Sequence, residues 1–150
     1  AGMKQNTTAD SLKLFRETTM ELDKIYSLFS KSCGLSEPEY WSLLLIYEGV
    51  VTQSKISEKL SLSRQTLNSA FKQLIKKGLV YLKPYENDQR TKEAILTDKG
   101  IDFVEKNLIF MHRTEELAWQ KMTREEQNTL AELSGKFRDL LKEVLEKSEQ

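Results

Sequence analysis

Arg64 and Asn68, and Gln65 and Ser69, are each four residues apart, so a helix would carry them on one face. Each side chain can hydrogen-bond a base edge or a phosphate oxygen. Ser63 and Thr66 add hydroxyls at the first turn, and Lys72 and Lys76 extend the face as cations. Leu67, Ala70, Phe71 and Leu74 recur at helical spacing and supply the opposite, apolar face. Arg90 lies in the polar run Glu86-Asn87-Asp88-Gln89-Arg90, with Lys92 close behind. An arginine on a protruding loop can enter a narrow minor groove, where the negative potential is strongest. Asp88 is expected to orient that guanidinium through a paired hydrogen bond. Lys55, Lys72, Lys76 and Lys92 are expected on phosphates, which set position and salt dependence but not sequence. The backbone N–H of Ser54, at the start of a helix, points to the same chemistry.

These residues require particular elements to hold them, and the stretch from Thr52 to Gly100 provides them. Thr52 reads as the N-cap of a short helix over Gln53–Leu60, with Ile56 and Leu60 on its inner face. Ser61-Leu62-Ser63 reads as a turn pinned by a buried Leu62. Ser63 then caps a second helix from Arg64 to about Lys77, ended by Gly78. Val80–Lys83 and Ala94–Leu96 read as two strands of a hairpin with Glu86–Arg90 at its tip. The expectation is a helix-turn-helix whose second helix enters a major groove, followed by a β wing.

Helical patterns flank this centre. Leu12, Phe15, Leu22, Ile25, Tyr26 and Phe29 form one side of a helix from about Asp10 to Cys33, stopped by Gly34. Ser36 caps the next, Pro38 sits in its first turn, Glu39 is expected to close a capping box, and Gly49 ends it. Tyr40, Trp41, Leu44, Leu45 and Tyr47 make this helix apolar on more than one side, and Val50-Val51 is expected to add a short strand against the wing. Thr97 caps a helix to about Lys121, with an exposed stretch or bend expected at the polar interval 112–116. Thr123 and Glu126 form a second capping box. Leu130, Leu133, Phe137, Leu140, Leu141, Val144 and Leu145 then repeat near every 3.5 residues, the pattern of an association seam.

The fold class expected is mainly α with a small β-hairpin wing. It is a single domain over 1–150, with 36–100 as the winged helix-turn-helix and 8–35 and 101–150 as helical dimerisation parts. The apolar terminal helices exceed what the centre could cover, which points to a two-fold homodimer. Its two recognition helices would meet an inverted repeat with half-sites about one DNA turn, ~10 bp, apart.

Formal net charge is zero over 150 residues, but its distribution is uneven. Residues 1–51 carry −2, residues 52–100 carry +5 and residues 101–150 carry −3. The basic excess thus falls on the segment with the base- and phosphate-bonding residues. Ala1-Gly2 ahead of Met3 reads as a cloning scar, and no signal-peptide pattern follows, so a cytoplasmic location is the default. One cysteine and one histidine exclude an intramolecular disulfide and leave few nitrogen or sulfur ligands. No cofactor or metal is expected, and the obvious catalytic triads would all need the single histidine, His112, which sits in a polar stretch. No nucleophile–base constellation points to an enzyme. Tyr26, Phe29, Tyr40, Trp41 and Trp119 are candidates to line a pocket for a small-molecule effector, or to pack as plain core.

Asp88-Gln89-Arg90 followed by Ile95-Leu96-Thr97-Asp98-Lys99-Gly100 resembles the wing signature of the MarR family of bacterial transcription factors. That signature is an Asp-x-Arg tip followed by a Leu-Thr-x-x-Gly entry into the next helix. Leu74-Ile75-Lys76-Lys77-Gly78-Leu79-Val80 resembles the family's passage from recognition helix to wing, and the order of elements fits over nearly the whole chain. Gln89 departs from the charged residue often found beside the wing arginine. The resemblance implies a dimer built from terminal helices, a pseudo-palindromic operator, and frequent relief by a small molecule bound between the dimer and DNA-binding parts. Repression is the family-level expectation. The competing class is a winged-helix protein–protein adaptor, which the neutral charge and acidic termini favour slightly and which the basic central segment and Arg90 count against. Some family members sense peroxides through a cysteine in the first helix. Cys33 is placed at a helix C-terminus, however, where the dipole opposes a thiolate, and it has no resolving partner in the chain.

Overall fold

The computed structural model describes residues 7–149, and the Ala1-Gly2-Met3 start lies outside them. The chain divides at Phe110–Met111 into two compact units. The first contains a winged helix-turn-helix; the second is helical.

In the first unit, α1 spans Thr8–Ser32. It starts two residues earlier than its apolar pattern indicates, because Thr7 and Asp10 close a capping box ahead of it. Cys33 is its C-cap, and Gly34 turns the chain at φ 71°. Residues 7–25 are exposed throughout, and only Phe29 and Ser30 of α1 are buried.

Helix α2 spans Glu37–Tyr47 and is the centre of the unit. Tyr40, Ser42, Leu43, Leu44 and Ile46 are all buried, so it is covered on more than one side. It packs against α1, the two helices of the helix-turn-helix and the second wing strand. Ser36 caps it by accepting the Glu39 N–H, but Glu39 does not close the expected box. Its carboxylate instead accepts Lys77 Nζ at 2.7 Å, a charged partner that outcompetes a backbone amide.

Helix α3, Gln53–Leu60, begins behind the N-cap Thr52. Ile56 is fully buried and Leu60 half-buried. Ser61 takes the left-handed conformation at φ 52°. Leu62 is half-buried rather than a buried pin, and the turn is held by polar bonds. Ser57 Oγ donates to the Leu62 carbonyl at 2.7 Å, and Leu62 N–H donates to the Ser57 carbonyl at 3.2 Å. Helix α4, Arg64–Lys76, buries Leu67, Ala70, Phe71 and Leu74, as the spacing requires.

Strands β1 (Val80–Tyr85) and β2 (Asp88–Leu96) form an antiparallel hairpin with Val80 opposite Leu96 and Leu82 opposite Ala94. The tip is only Glu86-Asn87, with Glu86 at φ 50°. Pairing jumps from Pro84–Lys92 to Tyr85–Asp88, so residues 89–91 form a bulge on β2. Arg90 therefore sits in a strand bulge and not at the hairpin tip. Val50-Val51 forms no strand of its own. The chain there meets the wing through Ala94 N–H to the Val51 carbonyl at 2.8 Å and a Thr52–Glu93 bridge.

Thr97 caps α5, Asp98–Phe103, which passes into a π-helical turn over Val104–Leu108 with Val104 and Leu108 buried. The irregularity falls here rather than at 112–116, which lies inside the regular helix α6, Ile109–Gln120. In the second unit α7 spans Arg124–Ser148 behind the Thr123–Glu126 capping box. Neither α6 nor α7 buries a side chain.

Gly100 is confined by its neighbours, since a Cβ there would overlap the Leu79 carbonyl oxygen. Gly100→Ala is expected to destabilise the fold by about 1–3 kcal/mol through this overlap. Urea unfolding of the two proteins checks it, and an unchanged midpoint would refute the close approach.

Candidate nucleic-acid interface

The outward face of α4 carries the side chains proposed from sequence. Arg64, Gln65, Asn68, Ser69, Lys72 and Lys76 are exposed. Ser63 and Thr66 are exposed too, but they are occupied with the cap. Ser63 Oγ accepts the Thr66 N–H at 3.1 Å and lies 2.9 Å from Thr66 Oγ1. Their hydroxyls hold the first turn in place as well as facing solvent.

A cleft of about 360 Å³ opens between this helix, α3 and the bulge of β2. It brings together Ser54, Arg64, Asn68, Arg90 and Lys92, all foreseen as contacts, with Gln53, Ser57, Leu67 and Thr91. The polar members Gln53, Ser57 and Thr91 were not singled out by sequence. Gln53 and Ser57 are one turn apart and flank the buried Ile56, which is the signal that could have found them. The lining holds three cations and no carboxylate. Neither α3 nor α4 has an acidic residue in its first turn, so the partial positive charge of both N-termini remains uncompensated. The cleft is therefore suited to an anion. Lys55 lines a neighbouring recess with Glu86, Asn87 and Asp88. Gln65, Ser69, Lys72 and Lys76 lie along α4 outside both linings.

Asp88 acts differently from the sequence expectation. Its carboxylate does not pair with the Arg90 guanidinium. One oxygen accepts the Arg90 backbone N–H at 2.9 Å and the other accepts Thr91 Oγ1 at 2.8 Å. Both bonds fall inside the bulge, so Asp88 sets the backbone that aims Arg90 and leaves the guanidinium to project. The Thr91 hydroxyl and then the Arg90 amide lower the Asp88 pKa below 3.8.

Four of the aromatic residues contact one another. Tyr26–Phe29, Phe29–Tyr40, Tyr40–Trp41 and Trp41–Tyr26 ring centroids lie 5.2, 6.4, 4.9 and 6.1 Å apart, in edge-to-face or tilted contact. Phe29 and Tyr40 are buried, Tyr26 and Trp41 half-buried, so the set packs on itself with one open edge. Trp119 is exposed in the second unit. Cys33 is half-buried, with Ser32 Oγ 3.6 Å from its sulfur. His112 Nδ1 lies 3.6 Å from Glu115. Among the described residues no three His, Cys, Asp or Glu side chains cluster as a metal site, and no helix is long and apolar enough to cross a membrane.

Residues 34–91 match the model of the MarR family. The chain is 31% identical over 94 residues to the organic hydroperoxide resistance transcriptional regulator of Bacillus subtilis, covering 62% of this chain and 64% of that regulator's length. Its fold is similar to that of Staphylococcus aureus MepR in complex with DNA (TM-score 0.68, 23% identity, 91% of this chain and 99% of that one). It is also similar to the Streptomyces coelicolor regulator PcaV in complex with its natural ligand (TM-score 0.69, 18% identity, 91% and 98%).

Because the Asp88 pKa is depressed in the folded wing, its stabilisation is complete above the unfolded carboxylate value. It is lost as pH falls through the lower, folded value. The protection of the Arg90 and Thr91 amides, taken relative to their intrinsic exchange at each pH, should therefore hold at neutral pH and fall as pH drops through the folded Asp88 pKa, which lies below the ordinary carboxylate value. Asp88→Asn should show lower protection at neutral pH, with the difference closing as the wild-type carboxylate is protonated. Equal protection in the two proteins at pH 7 would remove the assigned role.

Proposed function

We propose that this chain, which belongs to the MarR family, is a homodimeric, sequence-specific DNA-binding transcriptional regulator. It binds a pseudo-palindromic operator, acts as a repressor, and is modulated by a small-molecule effector. The observation that carries the reading is the carboxylate-free cleft in which Arg64 and Asn68 of α4 meet Arg90 and Lys92 of the wing. Arg64, Gln65, Asn68 and Ser69 read bases in the major groove, with Ser63 and Thr66 at its edge. Arg90 reaches the adjacent minor groove from its bulge. Ser54, Lys55, Lys72, Lys76 and Lys92 contact phosphates.

The dimer follows from unburied apolar surface. Leu133 and Val144 of α7 are 57% and 63% exposed, and Leu12, Phe15, Leu22 and Ile25 of α1 are exposed as well. A helix of 25 residues, about 38 Å long at 1.5 Å per residue, that buries none of its side chains is marginal in water without a partner. A second copy presenting the same stripes supplies one. The half-open edge of the Tyr26, Phe29, Tyr40 and Trp41 set is the place proposed for the effector. MepR bound to DNA and PcaV bound to its ligand support these two halves of the reading by analogy of fold.

Selection from a pool of random duplexes across a salt series tests the reading. Enrichment of an inverted repeat with half-sites ~10 bp apart is expected, with affinity falling steeply as salt rises. Arg90→Ala should cost about 1–3 kcal/mol on that site. No enriched sequence, and no effect of Arg90→Ala, would instead favour a protein–protein adaptor. Independently, Leu133→Glu/Leu141→Glu should convert a dimer to a monomer by light scattering. A wild-type monomer at micromolar concentration would refute the dimer.

A further inference from the structure

The C-terminal end of α4 is tied from two directions, and both ties meet at Lys77. Its side chain reaches α2, where Nζ lies 2.7 Å from Glu39 Oε2, a carboxylate only 8% exposed. Its main-chain carbonyl accepts Lys99 Nζ at 2.9 Å from the first turn of α5. The next two carbonyls are taken by the same segment. Thr97 Oγ1 donates to Gly78 O at 2.6 Å, and Thr97 N–H donates to Leu79 O at 3.1 Å. Lys77 is the C-cap of α4, so its carbonyl lies at the negative end of the helix dipole and the Lys99 ammonium on it is favoured electrostatically as well as geometrically.

We propose that Lys77 is a positioning residue for DNA recognition. Held by Glu39 of α2 and by Lys99 of α5, it fixes the angle at which α4 leaves the protein. The proposal rests on the reading of α4 as the recognition helix. None of these side chains is among the proposed DNA contacts, so any effect on recognition must pass through the orientation of α4. The last helical carbonyls, of Gln73, Leu74 and Ile75, accept the amides of Lys77, Leu79 and Gly78, so this helix end is only as firm as the segment that supplies those amides. Here two packed helices hold it, and the polar face of α4 is presented at one angle. In a dimer the distance between two such faces sets which half-site spacing is accepted.

The test compares wild type, Lys77→Arg and the double variant Glu39→Gln/Lys77→Met, which removes both charges and leaves no buried carboxylate alone. Each is measured on the selected duplex and on duplexes with one base pair more or fewer between half-sites. Thermal unfolding and amide exchange at Lys77, Gly78 and Leu79 are followed on the same samples. These amides donate to the carbonyls of Gln73, Ile75 and Leu74, so they report the end of α4 directly. The double variant is expected to exchange faster at those amides and to lose about tenfold in its preference for the selected spacing. Lys77→Arg is expected to keep both. If affinity falls in equal proportion on every spacing, or exchange is unchanged, the positioning role is overturned and only a structural one remains. If the double variant does not fold, Glu39→Gln is read in the same way. Should wild type select no duplex, the proposed function fails by itself. Exchange at the three amides then decides whether Lys77 holds the helix end.

Discussion

The carbonyl oxygens at the end of α4 are the constraint on which the rest of the winged unit depends. The chain leaving α4 bonds its amides at 77–79 back to the helix carbonyls of Gln73, Ile75 and Leu74, so its own carbonyls need partners elsewhere, and each one buried without a replacement for water would cost roughly 1–3 kcal/mol. Residues 97–99 supply the replacements for Lys77, Gly78 and Leu79. To do so they must return to the point where α4 ended, and the intervening chain becomes a hairpin of nearly matched strands. Gly100 completes the approach by having no Cβ to strike Leu79. The wing is thus the loop that this closure requires as well as a surface for contact. The position of its arginine relative to α4 follows from the same bonds.

Charge in the protein is organised by segment and not by total. A net charge of zero would weaken long-range attraction to a polyanion if it were spread evenly. The acidic excess lies in the flanking segments, while the cleft between α3, α4 and β2 has arginine and lysine in its lining and no carboxylate. Screening limits each charge to roughly 8 Å at physiological salt. A docked anion therefore responds to the cleft's local sign far more than to the total. Asp88 sits at the edge of this region, but both its oxygens are engaged by the Arg90 amide and the Thr91 hydroxyl. Its negative charge is turned to ordering the bulge.

Stability is divided as unevenly as charge. Every buried apolar side chain described lies between Phe29 and Leu108, around α2. Outside that range α1 and α7 carry broad apolar stripes in water, each behind a full capping box. Caps fix where a helix begins, but a stripe of leucines gains its free energy only on burial. The exposed stripes of these helices therefore contribute little burial free energy within the described chain.

Local rules were enough for much of this. N-caps at Ser36, Thr52, Ser63, Thr97 and Thr123, the glycine after α4, and the buried set of that helix were all legible, because each depends on residues within one or two turns. The Asp-x-Arg and Leu-Thr-x-x-Gly motifs likewise carried the resemblance to the MarR family, whose model matches residues 34–91. Competition between distant groups was not legible. Glu39 satisfied the capping-box pattern, yet Lys77, thirty-eight positions away, offered a stronger partner. Asp88 was assigned to the Arg90 guanidinium, whereas it bonds the Arg90 amide and the Thr91 hydroxyl, because the bulge exists only in the register between two strands. Gln53, Ser57 and Thr91 became part of the cleft only once α3 and β2 faced one another. Sequence by itself determined which residues begin, end and fill each element, since those interactions are short-range. Tertiary structure alone decided which polar groups pair and where Arg90 is aimed, since both depend on neighbours that folding brings together.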